Sequence, residues 1–331
     1  GPRVAMGGGR DEYTPVDGPD PRDSSHMGER RDGRDLVAEW QAAHPRGAYV
    51  WNTRQLRDAG DAPAILGLFG RGHMDYDHDR DRGDNGQPGL AEMTRAAITH
   101  LSRERNGYVL MVEGARIDMG HHEGSAFRAL NETVAFSDAV RAATEATSGE
   151  DTLIIVTADH AHTRNVVGYP ARGNAILGKV RGQGGEDDTP GDLARDQTGL
   201  TFTTLSYANG PGYTGASNRQ PAGPKKFLHA PSSVEPAEGR PDLSHVDTEH
   251  PDYLQEALVP LSNESHGGDD VGVWARGPGS AAMRGSIEQN ALFHVMLQAT
   301  PRLRQALCDK GLCDARGVPV ELPRPADFRA R

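Results

Sequence analysis

The stretch Tyr108–Gly124, Y-V-L-M-V-E-G-A-R-I-D-M-G-H-H-E-G, constrains this chain more than any other. Its apolar start, Tyr108 to Val112, predicts a buried parallel strand. Glu113 ends the run, and Gly114 lets the backbone turn. Asp118 and His122 follow at i, i+4 spacing. On a helix that spacing puts both side chains on one face, a turn apart. A carboxylate and an imidazole so placed can hold one divalent cation, with zinc the leading candidate. An isolated D-x-x-x-H is more often a solvated helix start, so further chemistry must weight the reading.

That chemistry comes from two more segments. Asp159-His160-Ala161-His162 follows the apolar, mostly β-branched run Leu153 to Val156, which predicts a second buried strand. Its acid and histidines then sit at a carboxyl edge, where open α/β sheets bind ligands. Ser265-His266-Gly267-Gly268-Asp269-Asp270 is a Gly-rich loop with a histidine, just before the strand-like Val271 to Trp274. Leu90, Met93, Ala97 and Leu101 form an amphipathic helix stripe, and Phe127, Leu130 and Val134 predict another. Alternating strands and helices point to an α/β fold with a parallel, doubly covered sheet.

In this order, V-E-G-A-R-I-D-x-x-x-H, T-A-D-H-A-H and S-H-G-G-D-D resemble the alkaline phosphatases. Met6-Gly-Gly-Gly-Arg10, Leu66-Gly-Leu-Phe69, Arg172-Gly-Asn174, Asn209-Gly-Pro-Gly-Tyr213 and Glu288-Gln-Asn290 extend the likeness over nearly the whole chain. The resemblance implies a three-layer α/β sandwich with a mostly parallel central sheet. Residues 1–331 would form the C-terminal portion of one such domain, with a crown-type surface subdomain inserted at 210–260. It implies two zinc ions and one magnesium. Asp118, His122 and His266 match the ligands of the first zinc, Asp159 and His160 match two ligands of the second, and Glu113 matches a magnesium ligand. His162 matches a histidine that orients a ligating carboxylate. The implied reaction is phosphate monoester hydrolysis through a phosphoserine. In it, two zinc ions about 4 Å apart clamp the attacking and leaving oxygens.

The family's nucleophilic serine lies in a D-S-A segment ahead of M-G-G-G-R, and this chain starts at Gly1. Asp23-Ser24 is no substitute, because it lies in a polar Arg/Asp-rich loop with no strand before it. The chain is therefore expected to be inactive alone and to need the N-terminal portion of the same enzyme. Phosphate monoesters, inorganic phosphate and a second copy in a homodimer are the other expected partners. Periplasmic or secreted localisation is expected. Sulfatases, phosphodiesterases and phosphoglycerate mutases share a similar metal layout. A zinc-binding pseudo-enzyme or structural subunit is the non-enzymatic alternative.

Charge and composition narrow the field. A formal net charge of −11 over 331 residues disfavours nucleic-acid binding. No run of eighteen apolar residues offers a membrane span. The acidic run Asp75 to Asp81 lacks the EF-hand order and reads as a solvated loop. Gly7-Gly8-Gly9 lacks the Lys-Ser/Thr of a P-loop and reads as a close-approach turn. Asp35 predicts a helix cap, and Leu292, Val295, Met296 and Ala299 a final helix with Met296 in the core. His229, His245 and His250 read as surface histidines. Cys308 and Cys313, five apart, suit a local disulfide in an exported protein better than half of a zinc site. Met119, after Asp118, stands where relatives often carry a polar or basic phosphate-reaching group, so weaker phosphate binding is expected.

Overall fold

The computed structural model describes residues 1–21, 23–183, 190–214, 225–227, 240–315 and 317. Much of the expected crown-type insertion, with His229, and the residues beyond 317 lie outside these. The chain divides into a larger unit, 1–143 with 160–269, and a smaller one, 144–159 with 270–331.

In the larger unit, the strand Ile65–Leu68 sits between Val4–Gly7 and Ala48–Val50, all parallel. Its four residues are all buried, as expected for a strand covered on both faces. Pleating sends Ile65 toward Val50, Leu56, Phe69 and Met93, and sends Leu66 and Leu68 toward Val37. The helix Leu90–Leu101 covers one side and buries Met93, Ala97, Ile98 and Leu101. The helix Leu36–Ala43 lies on the other and starts where Asp35 accepts from Ala38 N. At the end of the first strand, Gly8 passes so close to Gly72 that a Cβ would lie 2.2 Å from its carbonyl oxygen. Only glycine fits this close approach. Arg10, which follows, is buried; its Nε donates to Asp20 at 2.8 Å and its Nη1 to Leu68 O at 2.7 Å.

Four short ladders bring distant segments together. Leu205–Gly210 pairs parallel with Ala257–Pro260 and antiparallel with Arg164–Val166. His266–Gly267 pairs antiparallel with Ala161–His162, which sets His266 opposite His162. In the smaller unit, Ile154–Val156 is half-buried and pairs antiparallel with Trp274–Arg276. Helices Ala291–Gln298 and Pro301–Cys308 follow, and Cys308 and Cys313 form a disulfide.

Three local expectations are corrected. Tyr108 to Val112 is not a strand, and Val109 and Met111 are each 80% exposed. A strand exists only through a neighbour's ladder, and no strand ladder among the described residues includes this segment. The helix Ala126–Ala146 buries Ala126, Arg128, Ala129, Ala139 and Ala142, whereas Val134 is 60% exposed. Four alanines and Arg128 are its most deeply buried residues; Phe127 and Leu130 of the expected stripe are partly buried. Met296 is 44% exposed. Leu297 is the residue of that helix fully buried against its surroundings.

Candidate metal centre

Gly114 precedes the helix Ala115–His122, which carries Asp118 and His122 on one face as their spacing requires. Beyond it, Glu264 N donates to His122 O at 2.9 Å and draws the Ser265-His266 segment alongside. Asn209 holds that segment from the other side. Its Nδ2 donates to Ser265 Oγ at 2.8 Å, and its Oδ1 accepts from Ser265 N at 2.9 Å.

The side chains meet at the Asp118 carboxylate. His122 Nε2 lies 3.3 Å from Oδ2, and His266 Nε2 lies 3.4 Å from Oδ1. The two Nε2 atoms are 3.2 Å apart. His122 Nδ1 donates to the carbonyl of Glu264 at 2.5 Å, so in the neutral ring Nε2 is a bare lone pair. Lone pairs and a carboxylate directed at one point repel unless a cation lies between them. Ligand atoms tetrahedrally disposed about a zinc-like ion, with bonds near 2.0–2.1 Å, stand about 3.3 Å from one another. The His122–His266 separation fits that figure, and each histidine stands at a similar distance from a different oxygen of Asp118, Oδ2 for His122 and Oδ1 for His266.

Asp118, His160, His162 and His266 offer ligand atoms within 4.8 Å of one another, and so do His122, His162 and Glu264. His160 stacks on His266 with ring centroids 3.6 Å apart, and its Nε2 is 3.8 Å from Asp118 Oδ1. The centre grades from solvent inward: His266 is half exposed, His122 and Asp118 about a third, His162 barely, and Glu264 not at all. Glu113 is exposed and lies outside both groups; with Met119 and Arg116 it lines a cavity of ≈ 470 Å³. Asp159 is exposed and belongs to the smaller unit.

His162 bridges two acids. Its Nε2 is 2.9 Å from Asp118 Oδ1, and its Nδ1 is 2.7 Å from Glu264 Oε2. A neutral imidazole has one N–H and cannot donate to both. Burial opposes its charge, but the hydrogen bond and charge of Glu264, with those of Asp118, outweigh burial and raise its pKa. Burial likewise opposes charge on Glu264, but bonds from His162 and Thr163 outweigh it and hold the carboxyl low. Neighbouring His121 stacks on His162 at 4.6 Å, and its Nδ1 lies 2.8 Å from Tyr207 Oη. Burial, then the His162 charge, pushes His121 down to about 4.

Glu264 is a residue that motif spacing missed. A glutamate two places before a histidine in a polar loop is unremarkable in sequence. The available signal was its neighbourhood, a lone carboxylate inside L-S-N-E-S-H adjoining a candidate ligand.

The acidic loop Asp75 to Asp81 is tied down by arginines. Asp77 pairs with Arg80 and Arg82, and Asp79 with Arg128.

Comparison with known proteins converges on one family. The sequence profile described as alkaline phosphatase matches residues 3–301. The tissue-nonspecific alkaline phosphatase of Gallus gallus is 39% identical over 304 residues, covering 89% of this chain and 52% of that protein. The alkaline phosphatase of Gadus morhua is 38% identical over 303 residues, covering 89% and 57%. A solved structure of a mutant TAB5 alkaline phosphatase, with Mg bound in its M3 site, matches in fold with a TM-score of 0.52. That match covers 90% of this chain and 60% of the other at 20% identity; TAB5 is an Antarctic bacterium. The chain spans about half the length of the curated relatives it matches. On the profile match and these identities, the chain belongs to the alkaline phosphatase family.

Proposed function

We propose that this chain is the metal-holding portion of a zinc-dependent phosphomonoesterase. Asp118, His122 and His266 hold one zinc, Asp159 and His160 contribute to a second, and Glu113 contributes to a magnesium. The carrying observation is the mutual approach of Asp118, His122 and His266 to 3.2–3.4 Å from two distant segments. When bound, the metals supply positive charge and Lewis acidity for phosphoryl transfer. The chain's own residues hold and orient. His122 is fixed by its Nδ1 bond, and Asp118 is anchored by His162. The formal charge of −11 makes the metals all the more necessary for drawing in a phosphate anion.

The nucleophilic serine belongs, in this proposal, to an N-terminal portion of the same enzyme. Support comes from Val109 and Met111, each 80% exposed in a segment whose sequence suits a covered strand. The Cys308–Cys313 disulfide supports an oxidising, periplasmic or secreted setting. A homodimer is the expected assembly. Among the described residues no helix is long and apolar enough to cross a membrane.

Metal titration and p-nitrophenyl phosphate hydrolysis test the proposal together. The chain is expected to bind zinc and to give no turnover with zinc and magnesium added. Failure to bind zinc, or zinc-dependent turnover by this polypeptide alone, would refute it.

A further inference from the structure

Glu264 carries a carboxylate with no solvent exposure beside a half-open metal centre. Burying a carboxylate is costly unless its oxygens are satisfied. Here they are shared out. Oε1 accepts from Thr163 N at 2.5 Å and from Thr163 Oγ1 at 2.7 Å. Oε2 lies 2.7 Å from His162 Nδ1. The imidazole is rigid, so fixing Nδ1 fixes Nε2, which in turn meets Asp118 Oδ1 at 2.9 Å. The main chain of the same residue clasps His122 in both directions, donating to its carbonyl and accepting from its Nδ1. One residue thus ties the helix Ala115–His122, the strand Ala161–His162 and the His266 segment together.

We propose that Glu264 is a positioning residue of the metal centre: through His162 it fixes the Asp118 carboxylate, and so it sets zinc affinity. The proposal rests on Asp118, His122 and His266 holding zinc. Outer carboxylates that orient a metal site change affinity by about 10- to 100-fold when removed. Side-chain variants of Glu264 leave its main-chain clasp on His122 in place, so they isolate the path through His162.

The test is zinc affinity of the full chain, measured by competition with a chromogenic chelator. Circular dichroism and thermal unfolding of the metal-free chain monitor the fold. Glu264→Gln keeps one acceptor oxygen for Thr163 but offers His162 an amide N–H, so the charge-assisted bond that holds the Nδ1 proton is lost. It is expected to weaken zinc binding by about 10- to 100-fold. In a His162→Asn background the same change is expected to cost no more than about twofold, because the path is already cut. Should Glu264→Gln not fold, Glu264→Asp takes its place. It keeps the charge but withdraws the carboxylate by about one C–C bond, and the same losses are expected. The inference is overturned if the folded variant binds zinc within about twofold of the parent, or loses the same factor in both backgrounds. A parent chain that binds no zinc overturns the site itself, a distinct result.

Discussion

Gly120→Ala sets two effects of opposite sign against each other. Gly120 lies inside the helix Ala115–His122 and is its buried residue. By helix propensity alone, alanine there gains about 1 kcal/mol. However, a Cβ at position 120 would lie 2.7 Å from Ala129 N and 3.0 Å from Ala129 Cα. Those are backbone atoms within the helix Ala126–Ala146, so no side-chain rotation relieves the clash. Reaching ordinary contact requires the two helices to part by roughly 0.7 Å at that point. Overpacking of this kind costs about 1–3 kcal/mol, which outweighs the propensity gain. The net expectation is a loss of up to about 2 kcal/mol, or a Tm lower by up to about 3 °C.

The same displacement reaches the metal centre. Asp118 and His122 flank Gly120 on that helix, whereas His266 arrives on a separate segment. Metal–ligand distances tolerate about ±0.2 Å, well under the expected shift. Zinc affinity is therefore expected to fall by at least about tenfold, alongside the lower Tm. Differential scanning fluorimetry and chelator competition on Gly120→Ala measure both. A raised Tm with unchanged zinc affinity would show that the helices yield freely, and the close-approach argument would fail.

Other consequences are tested separately. Met119 lines the cavity beside Glu113, and Arg116 Nη1 donates to its sulfur at 3.2 Å. In the complete enzyme, Met119→His is expected to tighten inhibition by inorganic phosphate, and an unchanged inhibition constant would count against the idea. The Cys308–Cys313 bridge closes a loop of sequence separation five. Chain entropy then limits its contribution to about 2 kcal/mol, so a larger loss of unfolding free energy in a double serine variant would contradict that account. The Asp196 carboxyl is held low by the Thr198 hydroxyl first, then the Leu200 amide, with Arg240 adding a further bond. A depressed carboxyl stabilises the fold above its unfolded pKa, near 4, and that contribution disappears as pH falls through the folded value. Unfolding curves against pH should therefore separate the parent from Asp196→Asn at neutrality and converge in acid; parallel curves would remove Asp196 from the account.

What could be read in advance follows from what each signal depends on. The i, i+4 pair Asp118/His122 was legible because helix geometry is local, and it needs only the turn at Gly114 and the helix after it. His162 and His266 were legible by residue type, but their register, opposite one another in a two-stranded ladder, was not. Glu264 escaped because its importance lies entirely in partners far along the chain, Thr163 and His162 by side chain and His122 by main chain. The Tyr108 to Val112 run failed for the converse reason. Hydrophobicity measures a wish to be covered, whereas a strand also requires a neighbour to pair with. Of the stripe expected on the helix Ala126–Ala146, Phe127 and Leu130 are partly buried and Val134 is exposed, because small residues make the closest contact. Close approach of two helices selects the smallest residues, Gly120 against Ala129. The helix that carries Asp118 and His122 is seated by that contact, so in the proposed metal centre the placement of these two side chains depends on a glycine and an alanine that carry no chemistry of their own.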